Sequence, residues 1–229
     1  LYTHLKEVLR KLNKSYEIIF VDDGSKDNSA QAIKNLRDKN VKIIEFQKNF
    51  GKSAALSAGF EHAKGNIIIT MDSDLEDDAS EIPNFLKAIQ DYDLVVGWRH
   101  KRKHSIAKKI PSFFFNSLIK LLTGIKIHDS NCGFKAFRKK AVKNIDLYGE
   151  LHRYIPLLAL WNGFKVGEIK IIHHKRKFGK SKWGSSRLLK GFLDLITVKF
   201  LTEYSSRPFH LFGTAGIAST LFGLGIIAF

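Results

Sequence analysis

The stretch that most constrains this chain is Ile67 to Asp78, IIITMDSDLEDD, an apolar run that stops abruptly in carboxylates. Four apolar or β-branched residues in succession, Ile67 to Thr70, suit a strand buried on both faces, and Gly65 ahead of them closes the preceding helix. In extended backbone, residues i and i+2 point to the same side. Asp72 and Asp74 at the strand tip are therefore expected to converge on one hard divalent cation, with Glu76 continuing that side. A lone D-x-D is more often a solvated turn or a helix cap. Here a second strand pattern, Tyr16 to Val21, also stops in acid, at Asp22 and Asp23 followed by Gly24 and Ser25. Two such strands with helical segments between them place both acid clusters along the carboxyl edge of a parallel sheet, where such sheets bind ligands.

The pattern from Tyr16 to Gly97 alternates throughout. Strands are expected at Tyr16 to Val21, Val41 to Phe46, Ile67 to Met71 and Leu94 to Gly97. Helices are expected up to about Lys39, from Ser53 to Ala63 and from Ser80 to Gln90. Short loops between apolar strands predict a doubly wound α/β sheet. Asp27 or Ser25 can cap the helix after the first acid turn, which leaves Asp22 and Asp23 to be judged separately and Asp23 as the better functional candidate. Gly51, Lys52 and Ser53 resemble the tail of a P-loop, but its first glycine would fall at Phe46, so the pattern fails. Gly51 instead reads as a tight turn into a helix, with Lys52 a positive charge near a diphosphate.

Three segments together, VDDGSKDNS, NFGKSAALSAGFEHAKG and the D-x-D run, resemble family 2 glycosyltransferases with the GT-A fold, in matching order and spacing. DSNCGFKAFR (Asp129 to Arg138), ELHRYIPLLA around His152, and HHKRKFGKSKWG (His173 to Gly184) extend the resemblance to the polyprenyl-phosphate group of that family. It implies an inverting transfer of one sugar from a UDP- or GDP-linked donor to a polyprenyl phosphate, such as undecaprenyl or dolichyl phosphate. By the same resemblance, Asp22, Asp23, Lys52 and Asp72 bind the donor, Asp23 touching the nucleobase. Asp72, Asp74 and Glu76 hold Mg²⁺ or Mn²⁺, and Arg99 acts with Asp72 and Asp74 in catalysis. Arg99, Lys108, Ser112, Arg176, Lys180 and Lys182 hold the acceptor phosphate. Glu76 departs from the Gln usual in the family, and Lys108 from its usual Arg, which loosens any bidentate phosphate grip. Two further readings stay open: another family 2 enzyme acting on polysaccharide, and an inactive membrane-surface binding module. Against the first, KSKWG stands where polysaccharide enzymes carry Q-x-x-R-W.

The formal charge of +16 calls for an anionic partner. Lipid phosphates and headgroups suffice for it, and no nucleic-acid-binding motif stands out. The single cysteine, Cys132, excludes an internal disulfide and reads as a packed small hydrophobe. His173 and His174 are adjacent, point apart on a strand and make a poor metal pair. Asp129 reads either as a turn former or as a carboxylate near the sugar.

The domain expectation is a catalytic domain over 1–184, an amphipathic juxtamembrane helix over 185–207 and a transmembrane helix over 208–229. Leu211 to Phe229 carries no charge and is long enough to cross most of a bilayer. The helical spacing of Leu1, Leu5, Val8, Leu9 and Leu12 opens the chain inside a helix, so a first strand upstream is expected to be missing and the last span to be cut short. Lys199 and Arg207 on the flank of that span predict an integral membrane protein with a cytoplasmic catalytic domain. Gly216, Ser219 and Gly223 leave room for close helix approach in a homo-oligomer.

Overall fold

The computed structural model describes residues 1–100, 127–143, 145–174, 196, 197, 200, 204 and 207–227. The chain divides into two compact units, Leu1–Gly184 and Ser185–Phe229.

The first unit opens with helix α1 (Tyr2–Lys11), followed by β1 (Ile18–Asp22), α2 (Ser29–Lys34), β2 (Val41–Glu45), α3 (Lys52–His62) and β3 (Ile67–Thr70). A 3₁₀ turn (Ala79–Glu81), α4 (Ile82–Ala88) and β4 (Leu94–Trp98) come next. Then follow β5 (Lys135–Arg138), α5 (Lys139–Val142), a 3₁₀ turn (Leu151–Tyr154), α6 (Ile155–Trp161) and β6 (Val166–Lys170). The alternation read from the sequence is present, with shorter elements. Helix α2 stops at Lys34 rather than near Lys39, and Arg37 beyond it takes a positive φ of 46° that no helix continues.

The sheet differs from the expectation in one respect. β1 and β2 pair in parallel, but β3, β5, β4 and β6 form a mixed sheet in that order. β5 runs antiparallel to both of its neighbours, while β4 and β6 are parallel. The reason lies in where β5 enters. It starts at the edge where β3 and β4 end, with Lys135 opposite both Thr70 and Val96, and so runs back between them. This reversal brings the residues just ahead of β5, Asp129 to Phe134, to the acidic edge.

Strand β4 is the centre of the core: Leu94, Val95 and Val96 are fully buried, as the continuous apolar run requires. Phe134, from the segment entering β5, packs on Phe85 of α4 with ring centroids 4.4 Å apart, and Phe137 meets Phe60 of α3 at 5.1 Å. Each such buried ring contributes about 1.5–3 kcal/mol of transfer free energy.

In the second unit, helix α7 (Pro208–Ile227) is 20 residues long, with mean hydropathy 1.5 over its most apolar window and none of that window buried. It is long and apolar enough to cross a membrane. Both of its threonines turn their hydroxyls back to their own helix, Thr214 to the carbonyl of His210 and Thr220 to that of Gly216, which suits an apolar surrounding. The amphipathic juxtamembrane helix expected over 185–207 lies almost wholly outside the described residues.

Candidate active site

The site is built on the carboxyl ends of β1, β3 and β4 and the N-terminus of α3. After β3 the chain leaves extended geometry: Ser73 and Asp74 form a turn, and Leu75 takes a positive φ of 60°. The i, i+2 alternation that placed Asp72 and Asp74 on one side therefore does not apply. The acids are set by the turn instead, in which Asp74 Oδ1 accepts the backbone N–H of Glu76 at 3.1 Å. Asp77 bridges to His173 as an isolated antiparallel pair, and His174 N–H donates to the Glu76 carbonyl at 2.7 Å. The acidic turn is thus stitched to the segment that leads out of β6.

Asp72 is the hub. Its Oδ1 accepts from Lys52 Nζ at 2.7 Å, and its carboxylate lies flat against Gly133. A Cβ at Gly133 would stand 2.5 Å from Asp72 Oδ2, so only glycine leaves this carboxylate its place. Burial works against charge on Asp72, but Lys52 in contact, with Lys135 and Arg99 farther off, outweighs it and holds the carboxyl below its usual range.

Arg99 follows β4 directly. Its Nε and Nη2 make a two-pronged bond to Asp129, at 2.6 and 2.8 Å, with both side chains largely buried. Burial opposes the guanidinium charge, and the carboxylate of Asp129 more than restores it. Asp129, left open between two roles by the sequence, is the residue that aims Arg99. Its own backbone N–H donates to Glu168 of β6 at 2.9 Å, which fixes the clamp to the sheet.

Lys135 was missed as a site residue. It is buried in the middle of the mixed sheet, donates to the Cys132 carbonyl, and has its pKa lowered to about 8 by burial, with the nearby Lys52 adding to the effect. Cys132 is fully buried and burial raises its thiol to about 11, consistent with a packing role. His152 carries no role that its sequence motif assigns. Its Nδ1 lies 3.1 Å from Ser53 Oγ, and its backbone N–H donates to the same oxygen at 3.1 Å. Burial, followed by the charges of Lys52, Arg153 and Lys135, lowers its pKa to about 3, so the ring is neutral.

In the first acid turn both carboxylates hold the backbone of the surrounding loops. Asp22 Oδ1 accepts the N–H of Ser25 at 2.9 Å, closing the turn. Both oxygens of Asp23 accept backbone N–H groups at the entry to α3, from Phe50 at 2.7 Å and Gly51 at 2.9 Å. Gly24 sits so close to the Lys48–Asn49 backbone that a Cβ would lie 2.5 Å from a main-chain carbon. Asp23 therefore fixes the loop that presents Lys52. Lys108, Ser112, Arg176, Lys180 and Lys182 lie outside the described residues.

The donor set suits a hard divalent cation. Asp72 and Asp74 offer carboxylate oxygens, and Asp72 already holds one cation, the Lys52 ammonium, at bonding distance. No group of three or more ligating side chains is preassembled among the described residues, so Asp72, Asp74 and Glu76 do not stand together as a ready three-ligand set; one or two carboxylates can still bind such an ion together with substrate phosphates.

This mixed α/β sheet with an acidic turn at its carboxyl edge is a GT-A-like fold. It is shared with glucosyl-3-phosphoglycerate synthase from Mycobacterium tuberculosis, crystallised with Mn²⁺, UDP and glucosyl-3-phosphoglycerate. The TM-score is 0.64 at 13% identity, over 88% of this chain and 75% of that one. S. aureus TarS 1–349 is also similar, with TM-score 0.55 and 16% identity over 90% and 69% of the two chains. The chain belongs to the family 2 glycosyltransferases: the model described as Glycosyl transferase family 2 matches residues 1–146. Among curated proteins it is 40% identical to the dodecaprenyl-phosphate galacturonate synthase of Rhizobium johnstonii, over 93% of this chain and 64% of that protein. It is 39% identical to the undecaprenyl-phosphate 4-deoxy-4-formamido-L-arabinose transferase of Shewanella sediminis, over 94% and 66%. The chain thus spans about two thirds of the length of these relatives.

Proposed function

We propose that this protein is a membrane-anchored, metal-dependent, inverting glycosyltransferase that moves one sugar from a nucleotide-sugar to a polyprenyl phosphate at the cytoplasmic membrane face. The observation that carries the reading is the Asp72 carboxylate at the end of β3, pressed on Gly133 and holding a cation at 2.7 Å beside an aimed arginine. The names of the relatives support the acceptor class. The hydropathy of Pro208–Ile227 supports the membrane anchor.

The chemistry needs little from the protein beyond position and charge. A lipid phosphate is ionised at neutral pH, so it attacks the sugar carbon without a strong general base, and a single in-line displacement inverts that carbon. Asp72 and Asp74, with Glu76, would hold Mg²⁺ or Mn²⁺, which supplies charge neutralisation of the departing diphosphate. Lys52 serves the donor phosphates. Arg99, kept charged and oriented by Asp129, would hold the acceptor phosphate, a task the family resemblance also gives to Lys108, Ser112, Arg176, Lys180 and Lys182. The neutral ring of His152 takes no proton in this scheme. Asp22 and Asp23 would bind the donor from the first acid turn, where Asp23 also holds the loop before α3.

The test uses the full chain in detergent with undecaprenyl or dolichyl phosphate and labelled UDP- and GDP-sugars, with Mn²⁺, Mg²⁺ or EDTA. Label entering the lipid phase from one donor, and only with a divalent ion, is the expected result. Metal-independent transfer, or transfer to polysaccharide and not to lipid, would overturn the reading.

A further inference from the structure

Among the described residues, three cations act on the Asp72 carboxylate, and they differ in freedom. Arg99 is fixed by two bonds to Asp129, and its side chain is 9% exposed. Lys135 is buried within β5 with its ammonium on the Cys132 carbonyl. Lys52 is 39% exposed and holds Asp72 through one bond of 2.7 Å. It stands at the first residue of α3, on a loop that Asp23 anchors through Phe50 and Gly51, so its backbone is set while its side chain is not. A lysine ammonium on a four-carbon stem reorients readily, unlike a forked guanidinium. The carboxylate that would receive a divalent ion is therefore covered by the one cation of the three that is able to leave.

A divalent ion and an ammonium on the same carboxylate oxygen repel each other strongly in a part-buried site. A nucleoside diphosphate brings negative charge for both. We propose that Lys52 is a place-holding cation. Before loading it neutralises Asp72; when donor arrives it passes to the donor diphosphate, and the divalent ion takes over the carboxylate. The inference rests on the transferase reading and adds an order of events to it. Without nucleotide, the ion must drive Lys52 into water and binds weakly. With nucleotide, Lys52 has an anion to move to. Linkage then requires that each ligand tighten the other by the same factor.

The experiment measures Mn²⁺ binding to the full chain in detergent by electron paramagnetic resonance of the free ion. Wild type, Lys52→Met and Lys52→Arg are each titrated alone, with UDP and with GDP. Lys52→Met is expected to bind Mn²⁺ alone more tightly than wild type, by a factor between about 1.4 and 5, the range set by releasing a half-exposed ion pair. In that variant the added tightening by nucleotide shrinks. Lys52→Arg, which keeps a cation on Asp72, stays as weak as wild type without nucleotide. Circular dichroism confirms that each variant is folded. Equal Mn²⁺ affinity of wild type and Lys52→Met, with nucleotide still tightening Mn²⁺ in both, would overturn the exchange and leave the transferase reading standing. No Mn²⁺ binding in any protein with either nucleotide would overturn both.

Discussion

The Arg99–Asp129 pair shows how one residue's environment sets another's role. Both side chains are largely buried, so removing one partner strands the other charge. Asp129→Ala is expected to cost about 3–5 kcal/mol, which lowers the melting temperature by about 10 °C in a domain of this size. Replacing both together, Arg99→Met with Asp129→Leu, should recover most of that stability and none of the transfer activity. Recovery of transfer by the double variant would show that Arg99 only fills space. His152 gives a pH signature. Its folded pKa of about 3 lies below the ordinary 6.5, so between those values the unfolded chain binds the proton and the folded one does not. Stability is therefore lost as pH falls from about 6.5 to 3. His152→Gln should flatten that acid limb in denaturant-midpoint measurements, and an unchanged limb would place the titration elsewhere.

At the scale of elements, the decisive feature is the reversed strand β5. The alternation of apolar runs and helical spacing made the order of β1 to β4 legible in the sequence, and both acid turns could be placed at strand ends. What could not be read was the pairing. Lys135, Gly133 and Asp129 enter the site because β5 runs antiparallel between β3 and β4, and register between distant strands leaves no local pattern in a single sequence. The D-x-x-C-G-F run marked the segment as important without saying what it touches. Asp23 shows the same limit: the acid turn marked it as a donor-binding candidate, but its bonds to two backbone N–H groups come from a loop that only the fold brings near. The packing of β5 on the acidic turn makes a direct prediction. Gly133→Ala would push the Asp72 carboxylate aside, and a displacement approaching 1 Å costs about 10²-fold in turnover. The variant should fold, since Asp72 is at the surface end of the sheet, and near-normal turnover in it would contradict the assigned position of Asp72.

For the whole molecule, strong positive charge and an apolar helix are both properties that suit a membrane. The net charge of +16 favours an anionic membrane face, and the Pro208–Ile227 helix offers the means of insertion. Ile217, mid-helix and 62% exposed, should be intolerant of charge if that helix is inserted. Arginine at the centre of a membrane helix costs about 2.5–3.5 kcal/mol. Ile217→Arg is expected to shift the protein toward the supernatant on alkaline carbonate extraction, and full retention in the membrane pellet would mean that this helix is not what holds it there. The central claim, however, is that the carboxylates at the end of β3 run the transfer. The most direct measurement is turnover of Asp74→Asn with donor, Mn²⁺ and polyprenyl phosphate, alongside its melting curve. Loss of transfer with a wild-type melting curve is the predicted result. Undiminished turnover would contradict the account at its root.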